Sequence, residues 1–423
     1  MITTDLGPVG WYGAAVGTVL AVKLLMSIRR RKPRTWRAPG HMTVAAIVTV
    51  YNEDETTLVH ALSSLAAQTR RPDVIHVVDD GSTTGDYARI RAWFLTEARR
   101  HGLAATWTRT ANQGKRRALA EGFCRSWTAD IFCCIDSDTV LAPDAVAQAL
   151  GPFSSRRVHA VTGLVLARNR ARNLLTRLID MRYVNAFLGE RVAYSRLGSV
   201  LCVCGSLALY RGWVVRKHLN DFLTQQFLGA PATFGDDRRL TYYALTEGKA
   251  VIQPTAVGHT DVPESLGHYL RQQIRWTKSF IREALLMIGT GRAHRAYWWL
   301  NLLEAVTWCA FTAALIVGIT AAVFHPAGLA VLGSYLLWVC AVSWLRSLHY
   351  LRSTGRVPRL DRAATFAAAP LYALMNLTLL VPLRFWAIAT LRNGSWGTRA
   401  SVEVAAAPAA LPAPPKPRAE VGA

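Results

Sequence analysis

Apolar residues gather into two kinds of run along this chain. Long, nearly unbroken ones occupy Val9–Ile28, Tyr297–Phe324, Leu329–Leu345 and Ala363–Ala389, while short strand-length ones lie between Val44 and Ile135. A stretch of about 20 apolar residues matches the hydrocarbon core of a bilayer. Val9–Ile28, interrupted by Lys23 and carrying no small-residue cleavage site, therefore reads as an anchor. Tyr297–Phe324 and Leu329–Leu345, joined by the short turn His325–Gly328, read as a helical hairpin. Ala363–Ala389 is interrupted by Pro370, Pro382 and Arg384, so it can span, re-enter or lie along the interface.

The short runs are Val44–Val50, Val74–Val78, Ala104–Thr108 and Ile131–Ile135, with helical patterns over Thr56–Gln68, Tyr87–His101 and Arg116–Trp127 between them. This alternation predicts an α/β domain around a doubly wound, mostly parallel sheet. Ligands of such sheets sit beyond the carboxyl ends of the strands. There the polar clusters fall: Tyr51–Glu55, Asp79–Ser82, Asn112–Lys115 and Asp136–Asp138. The expected organisation is an N-terminal transmembrane helix with basic flank (1–40), the α/β domain (41–260) and an amphipathic interfacial helix (261–295). A transmembrane hairpin with a further helix and loop (296–400) and an Ala/Pro-rich tail without packing residues (401–423) complete it.

Composition narrows the class. At 51% hydrophobic and 18% charged residues over 423 positions, the chain is not disordered, and a purely soluble protein is disfavoured. The net charge of +22 has three readings: nucleic acid, an anionic membrane face or an acidic substrate. Arg29–Arg37 follows the first apolar run and Arg346–Arg362 follows the hairpin, placing both in the cytoplasm by the positive-inside rule. Much of the charge is thus juxtamembrane or cytosolic, and no nucleic-acid partner is expected. Seven cysteines without a CxxC fit thiols in a reducing compartment.

The clusters carry candidate chemistry, each beside a plainer alternative. Asp136 and Asp138 offer two hard oxygen donors suited to Mg²⁺ or Mn²⁺, or simply form a solvated turn. Asp79 and Asp80 can accept from a nucleobase or ribose, or Asp80 caps the Gly81 turn. Lys115, at a helix start, suits a phosphate, or is an ordinary surface lysine. Asp236 and Asp237 open a helical run, either capping it or supplying a general base. Gln272, Arg275 and Trp276 share neighbouring parts of one helical face. There Arg275 could neutralise a diphosphate and Trp276 stack on a sugar, or the pair could anchor the helix at a membrane surface.

The ordered set Asp79–Ser82, Asn112–Arg116, Asp136–Asp138, Gly235–Arg238 and Gln272–Trp276 resembles the processive family-two glycosyltransferases. Within them it is most similar to class I hyaluronan synthases, through Val200–Ser206, Gly235–Leu240, Gln272–Glu283 and Phe385–Arg399. The resemblance covers about Val44 to Arg399. It implies a cytosolic GT-A (Rossmann-like, mostly parallel) domain with transmembrane and interfacial helices in the plasma membrane.

It further implies that Tyr51, Glu53, Asp79, Asp80, Lys115 and Asp136 bind the nucleotide sugar, and that Asp138 binds Mg²⁺ or Mn²⁺. Asp237 is the implied base, with Asp236 and Arg275 completing the catalytic set. Gln272, Trp276, Cys204, Gly205 and Ser206 would frame the acceptor, and Trp396, Gly397, Thr398 and Arg399 would form a gating loop. Ser206–Leu207 departs from the Gly-Pro expected there. The implied donors are UDP-GlcNAc and UDP-glucuronate, the acceptor a growing polysaccharide, and membrane lipid a partner. One N-terminal span and no helix after Arg399 are fewer than the family commonly has, which is compatible with a homodimer or with a synthase that does not export its product. If the gating loop meets a cytosolic site, Ala363–Ala389 cannot make one full crossing; a re-entrant or interfacial helix broken near Pro382 is expected. A β-glycan synthase using UDP-GlcNAc alone, a transferase adding one sugar to a lipid, and a non-catalytic nucleotide-sugar scaffold are the alternatives.

Overall fold

The computed structural model describes residues 8–28, 42–324, 328–352 and 357–394. The Trp396–Arg399 motif, the basic flank 29–41 and the tail 401–423 lie outside them. In chain order the elements begin with α1 (Pro8–Ile28), β1 (Val44–Val50), α2 (Glu55–Ala66), β2 (Val74–Asp79), α3 (Ala88–Arg100), β3 (Ala104–Arg109), α4 (Lys115–Arg125) and β4 (Ile131–Asp136). There follow β5 (Val140–Leu141), α5 (Ala145–Leu150), β6 (Val158–Ala167), α6 (Leu174–Val184), α7 (Val192–Arg196), β7 (Ala208–Arg211) and α8 (Gly212–Thr224). A small hairpin, β8 (Gln226–Phe227) and β9 (Ala230–Pro231), leads to α9 (Asp236–Glu247), β10 (Lys249–Thr260) and α10 (Leu266–Gly289). The remaining helices are α11 (Ala296–Phe324), α12 (Gly328–Arg346), α13 (Leu348–Arg352), α14 (Arg359–Ala367), α15 (Ala369–Met375) and α16 (Val381–Ala389).

Eight strands form one sheet in the order β3-β2-β1-β4-β7-β6-β10-β5. The half from β3 to β4 is parallel throughout, as the alternating pattern predicts. Beyond β4 the sheet becomes mixed, because β7 runs antiparallel to both β4 and β6. All seven residues of β1 are buried, yet they serve two cores. Ala45 and Ile47 face the layer of α4, α6, α8 and α9, whereas Val44, Ala46, Val48 and Val50 face α2, α3 and α5. Period-two alternation thus persists inside a continuous apolar run, each large side chain contributing about 1.5–3 kcal/mol by burial.

Among the described residues two stretches are long and apolar enough to cross a membrane, Ala296–Val317 and Arg359–Ala389; the apolar part of α1, Gly13–Ile28, is shorter. Helix α1 packs on α11 and α12, with Gly13 and Gly17 against Trp338 and Lys23 paired to Glu304 at 2.5 Å. The run from α14 to α16 is helical throughout, apart from the junction at Ala368, and passes through a π-helical segment at Asn376–Leu380 immediately before Pro382. Both of its ends meet the α/β domain. Asp361 pairs with Arg170 and Arg177 of the α6 side at 2.8 and 3.0 Å, and Gly394 accepts a hydrogen bond from Thr233. In between, α16 packs along α10, and the Tyr269 and Tyr372 hydroxyls meet at 3.0 Å.

Candidate functional site

The carboxyl ends of β1, β2 and β4, the start of α4 and the start of α9 converge on one cleft. Gly81 (φ +69°) turns the chain out of β2 where a Cβ would stand 2.7 Å from the Asn112 amide, so the β2 end presses on the loop before α4. Asp79 closes that turn by accepting from the Ser82 amide at 2.9 Å, and its other oxygen lies 3.6 Å from Arg109 Nε. Asp80 does not cap the Gly81 turn: its two oxygens accept from the Gln113 and Gly114 amides at 2.9 and 2.8 Å. Asp80 therefore fixes the loop that delivers Lys115, and burial raises its carboxyl above the usual range. Glu53 is buried and accepts from the Ser137 hydroxyl at 2.7 Å, tying the β1 end to the β4 end; Tyr51 is half-buried two residues before it.

Lys115 is the hub. Its ammonium contacts Asp136 at 2.5 Å and Asp236 at 3.6 Å, joining β4 to α9. Burial disfavours its charge, but the Asp136 and Asp236 carboxylates outweigh that and hold its pKa above the usual lysine value. Asp136 also accepts from Ser206 at 3.1 Å, and a Cβ on Gly205 would meet both Lys115 and Asp136. A small cavity lined by Lys115, Asp136, Gly205, Tyr210, Asp236 and Asp237 is the floor of the cleft. Asp236 is buried and Asp237 half-buried in the first turn of α9, where the helix N-terminus favours negative charge. Burial and Asp236 push the Asp237 carboxyl upward, against the pull of Arg238, the Cys202 thiol and Lys115.

Asp136 and Asp138 diverge although only Ser137 separates them. Asp138 turns toward β10 and accepts from Thr260 at 2.9 Å. Among the described residues no group of three or more His, Cys, Asp or Glu could hold a metal ion. A divalent ion here would draw most of its shell from phosphate oxygens and water, which is how Mg²⁺ commonly binds, and one exposed-edge carboxylate with hydroxyl neighbours fits that donor set.

Helix α10 supplies the other wall. Gly235 (φ +85°) precedes Asp236 where a Cβ would lie 2.3 Å from Ser279 Oγ, so the start of α9 is pressed onto α10. One turn earlier on α10 lie half-buried Arg275 and exposed Trp276. Trp276 stands 6.4 Å, ring to ring, from Tyr183 of α6, with the Arg182 guanidinium over its indole at 5.6 Å. Tyr183 in turn lies within electrostatic reach of Asp138, which links this wall to the strand ends. The side-chain carbonyl oxygen of Gln272 is buried without a hydrogen-bond partner among the described residues. Asn393 and Gly394, the last described residues of the chain, dock on Lys278 and Thr233 beside this wall.

The structure thus gathers Lys115, Asp136, Gly205, Ser206, Asp236 and Asp237 by direct contact, with Glu53, Asp79, Asp80 and Asp138 at the adjoining strand ends. Cys204 adjoins that floor through Ser206, Trp276 stands beside Tyr183, and Gln272 and Arg275 lie on the same helix as Ser279, which meets the start of α9. Sequence reasoning missed Tyr183 and the Arg168–Asp261 ion pair, whose guanidinium also feels Asp138 and Glu53. Tyr183 lies inside an ordinary helix, while Arg168 and Asp261 directly follow β6 and β10, two strands that the short apolar runs between Val44 and Ile135 do not include.

Comparison with known proteins gives the family of the chain. Residues 45–219 match the family described as Glycosyl transferase family 2. Hyaluronan synthase of Streptococcus pyogenes is 37% identical over 404 residues, covering 94% of this chain and 92% of the relative. The chain belongs to glycosyltransferase family 2. An N-acetylglucosaminyltransferase of Rhizobium leguminosarum is 32% identical over 96% of the chain and 94% of its own length. A mannosyltransferase from Pyrobaculum calidifontis, solved with GDP-Man and Mn²⁺, superimposes with a TM-score of 0.59 at 21% identity, covering 90% of this chain and 98% of that one. The family-two chain described here is an inverting, hyaluronan synthase-like glycosyltransferase with a GT-A domain.

Proposed function

We propose that this glycosyltransferase polymerises UDP-sugars into a β-linked polysaccharide at the plasma membrane, and that its product is hyaluronan, made from UDP-GlcNAc and UDP-glucuronate. The observation that carries the reading is the joining of Asp136, Lys115, Asp236 and Asp237 in one cleft, in a chain alike over its whole length to a hyaluronan synthase. Asp237 is the base: its carboxylate takes the proton of the acceptor hydroxyl as that oxygen attacks the anomeric carbon from the face opposite the UDP, inverting it. Lys115 and Arg275 bring positive charge to the leaving diphosphate, and Trp276 with Gln272 holds the sugar chain end between additions. Asp138 is the residue that would hold Mg²⁺ or Mn²⁺, which when bound neutralises charge developing on the diphosphate.

The two ends of the α14–α16 run on one domain support an interfacial or re-entrant course for it. Membrane lipid along α10 and α16, and a second copy of the chain, complete the expected partners.

A second reading, an oligosaccharide synthase using UDP-GlcNAc alone, is favoured by the similarity to the rhizobial enzyme. Membranes carrying the enzyme, given each radiolabelled UDP-sugar alone and then both, separate the two. Polymer formed only with both donors and degraded by hyaluronidase is the expected result; product from UDP-GlcNAc alone overturns hyaluronan in favour of the second reading.

A further inference from the structure

The segment between Val200 and Gly205 is laced to the first turn of α9 at three points. The Cys202 thiol donates to Asp237 Oδ2 at 3.2 Å. The Val203 amide donates to Thr241 Oγ1 at 2.8 Å, and that hydroxyl donates to the Asp237 carbonyl at 2.6 Å. The Tyr210 hydroxyl lies 3.2 Å from the Val203 carbonyl and 3.4 Å from the Asp237 carbonyl, bridging the same two strands of chain. Cys202 is held in turn through its backbone, where Arg191 Nε donates to its carbonyl at 3.1 Å and the Arg191 guanidinium lies 4.0 Å over Phe187. The thiol is thus aimed by the backbone around it.

We infer that Cys202 is a positioning residue for the catalytic base: its S–H donates to Oδ2 of Asp237 and so helps fix the plane in which the carboxylate meets the acceptor hydroxyl. The inference rests on the reading of Asp237 as the base. The second oxygen, Oδ1, is turned toward the Arg238 amide at 2.7 Å, so the carboxylate is gripped on both sides and its plane is set. A thiol is a weak donor, which orients a base without competing strongly for the proton it must accept. The charged and titratable groups facing Asp237 are Asp236 and Arg238 on α9, Lys115 on α4, Tyr210 on β7, and Cys202 and Cys204 on the laced segment. All but Cys202 remain when the thiol alone is removed. Since a donor to the ionised form favours that form, its loss must move the acid limb of activity to higher pH.

The test compares Cys202→Ala, Cys202→Ser and Asp237→Asn in membranes, reading kcat, donor KM and the pH profile of kcat. Expected for Cys202→Ala is a several-fold lower kcat, a donor KM within about twofold, and an acid limb raised by roughly half a pH unit or more, the size that a weak hydrogen bond to a charged group supplies. Cys202→Ser, which keeps a donor, should return the limb to the wild-type position or below it. A Cys202→Ala profile superimposable on wild type, or a serine variant that behaves like alanine, overturns the inference while Asp237→Asn is inactive. Should Asp237→Asn retain wild-type activity, the assignment of the base itself fails.

Discussion

The two halves of the cleft are built in opposite ways. On the β1–β4 side every acid is already engaged: Asp79 with Ser82, Asp80 with two amides, Glu53 with Ser137, Asp136 with Lys115 and Ser206. On the α10 side two groups keep capacity to spare. Among the described residues Gln272 has a buried oxygen without a hydrogen-bond partner, and Trp276 is 40% exposed. The engaged side is pre-set for one small, invariant ligand portion, as a nucleotide diphosphate is. The open side suits an occupant that arrives, shifts and leaves, as a growing sugar chain must. Low reorganisation cost on one side and unsatisfied capacity on the other are what a repeating transfer requires.

The sharpest way to break this contrast is at the residue both halves share. Asp237→Asn keeps the volume and removes the base, and general-base catalysis contributes roughly 10²–10⁴-fold. A loss of about a thousandfold in sugar transfer, with nucleotide binding retained, is expected from a steady-state assay and a UDP-binding titration. Because burial and Asp236 raise the Asp237 carboxyl, the wild-type acid limb should fall above the ordinary carboxylate range, activity rising as pH increases through it. A variant that loses UDP binding as severely as transfer would show that Asp237 belongs to the engaged side instead.

Lys115→Met ranks next. It leaves Asp136 and Asp236 facing each other without the cation between them. Breaking a partly buried pair in this way costs about 2 kcal/mol or more of folding stability, and losing a charged contact to the diphosphate, worth about 1.5–3 kcal/mol, lowers kcat/KM roughly ten- to hundredfold. The loss should appear mainly in donor KM, with a lowered unfolding temperature. An unchanged donor KM would remove Lys115 from the nucleotide half.

The same contrast explains what the sequence made legible. Val44–Val50, Ile131–Ile135 and the helices between strands are local patterns, so the parallel half of the sheet and the acids at its strand ends could be read directly. The mixed half could not, since the antiparallel course of β7 depends on long-range pairing with β4 and β6 that no local pattern encodes. Asp80 illustrates a subtler limit. Its place after a strand was visible, but its partners lie 33 and 34 residues on, and only the fold shows that it braces the Lys115 loop instead of its own turn. Tyr183 reaches the cleft by virtue of α6 packing beside α10, and a tyrosine inside an ordinary helix carries no mark of that.

The smallest expected effect lies on the open side, at Trp276. Its indole sits between Tyr183 and the Arg182 guanidinium with one part of its surface free, so replacing it removes a stacking platform without stranding a charge. Aromatic contacts of this kind are worth about 0.5–1.5 kcal/mol, which corresponds to roughly two- to tenfold weaker retention of the sugar chain end. Trp276→Ala should therefore leave donor KM near wild type and lower the first-sugar transfer rate little, while shifting the product toward shorter chains on gel filtration, because a weaker hold raises the chance of release at every cycle. The two readouts move in opposite directions if the halves are coupled differently: a large rise in donor KM with unchanged chain length would mean that α10 belongs to the nucleotide side and that the division drawn between engaged and open walls is misplaced.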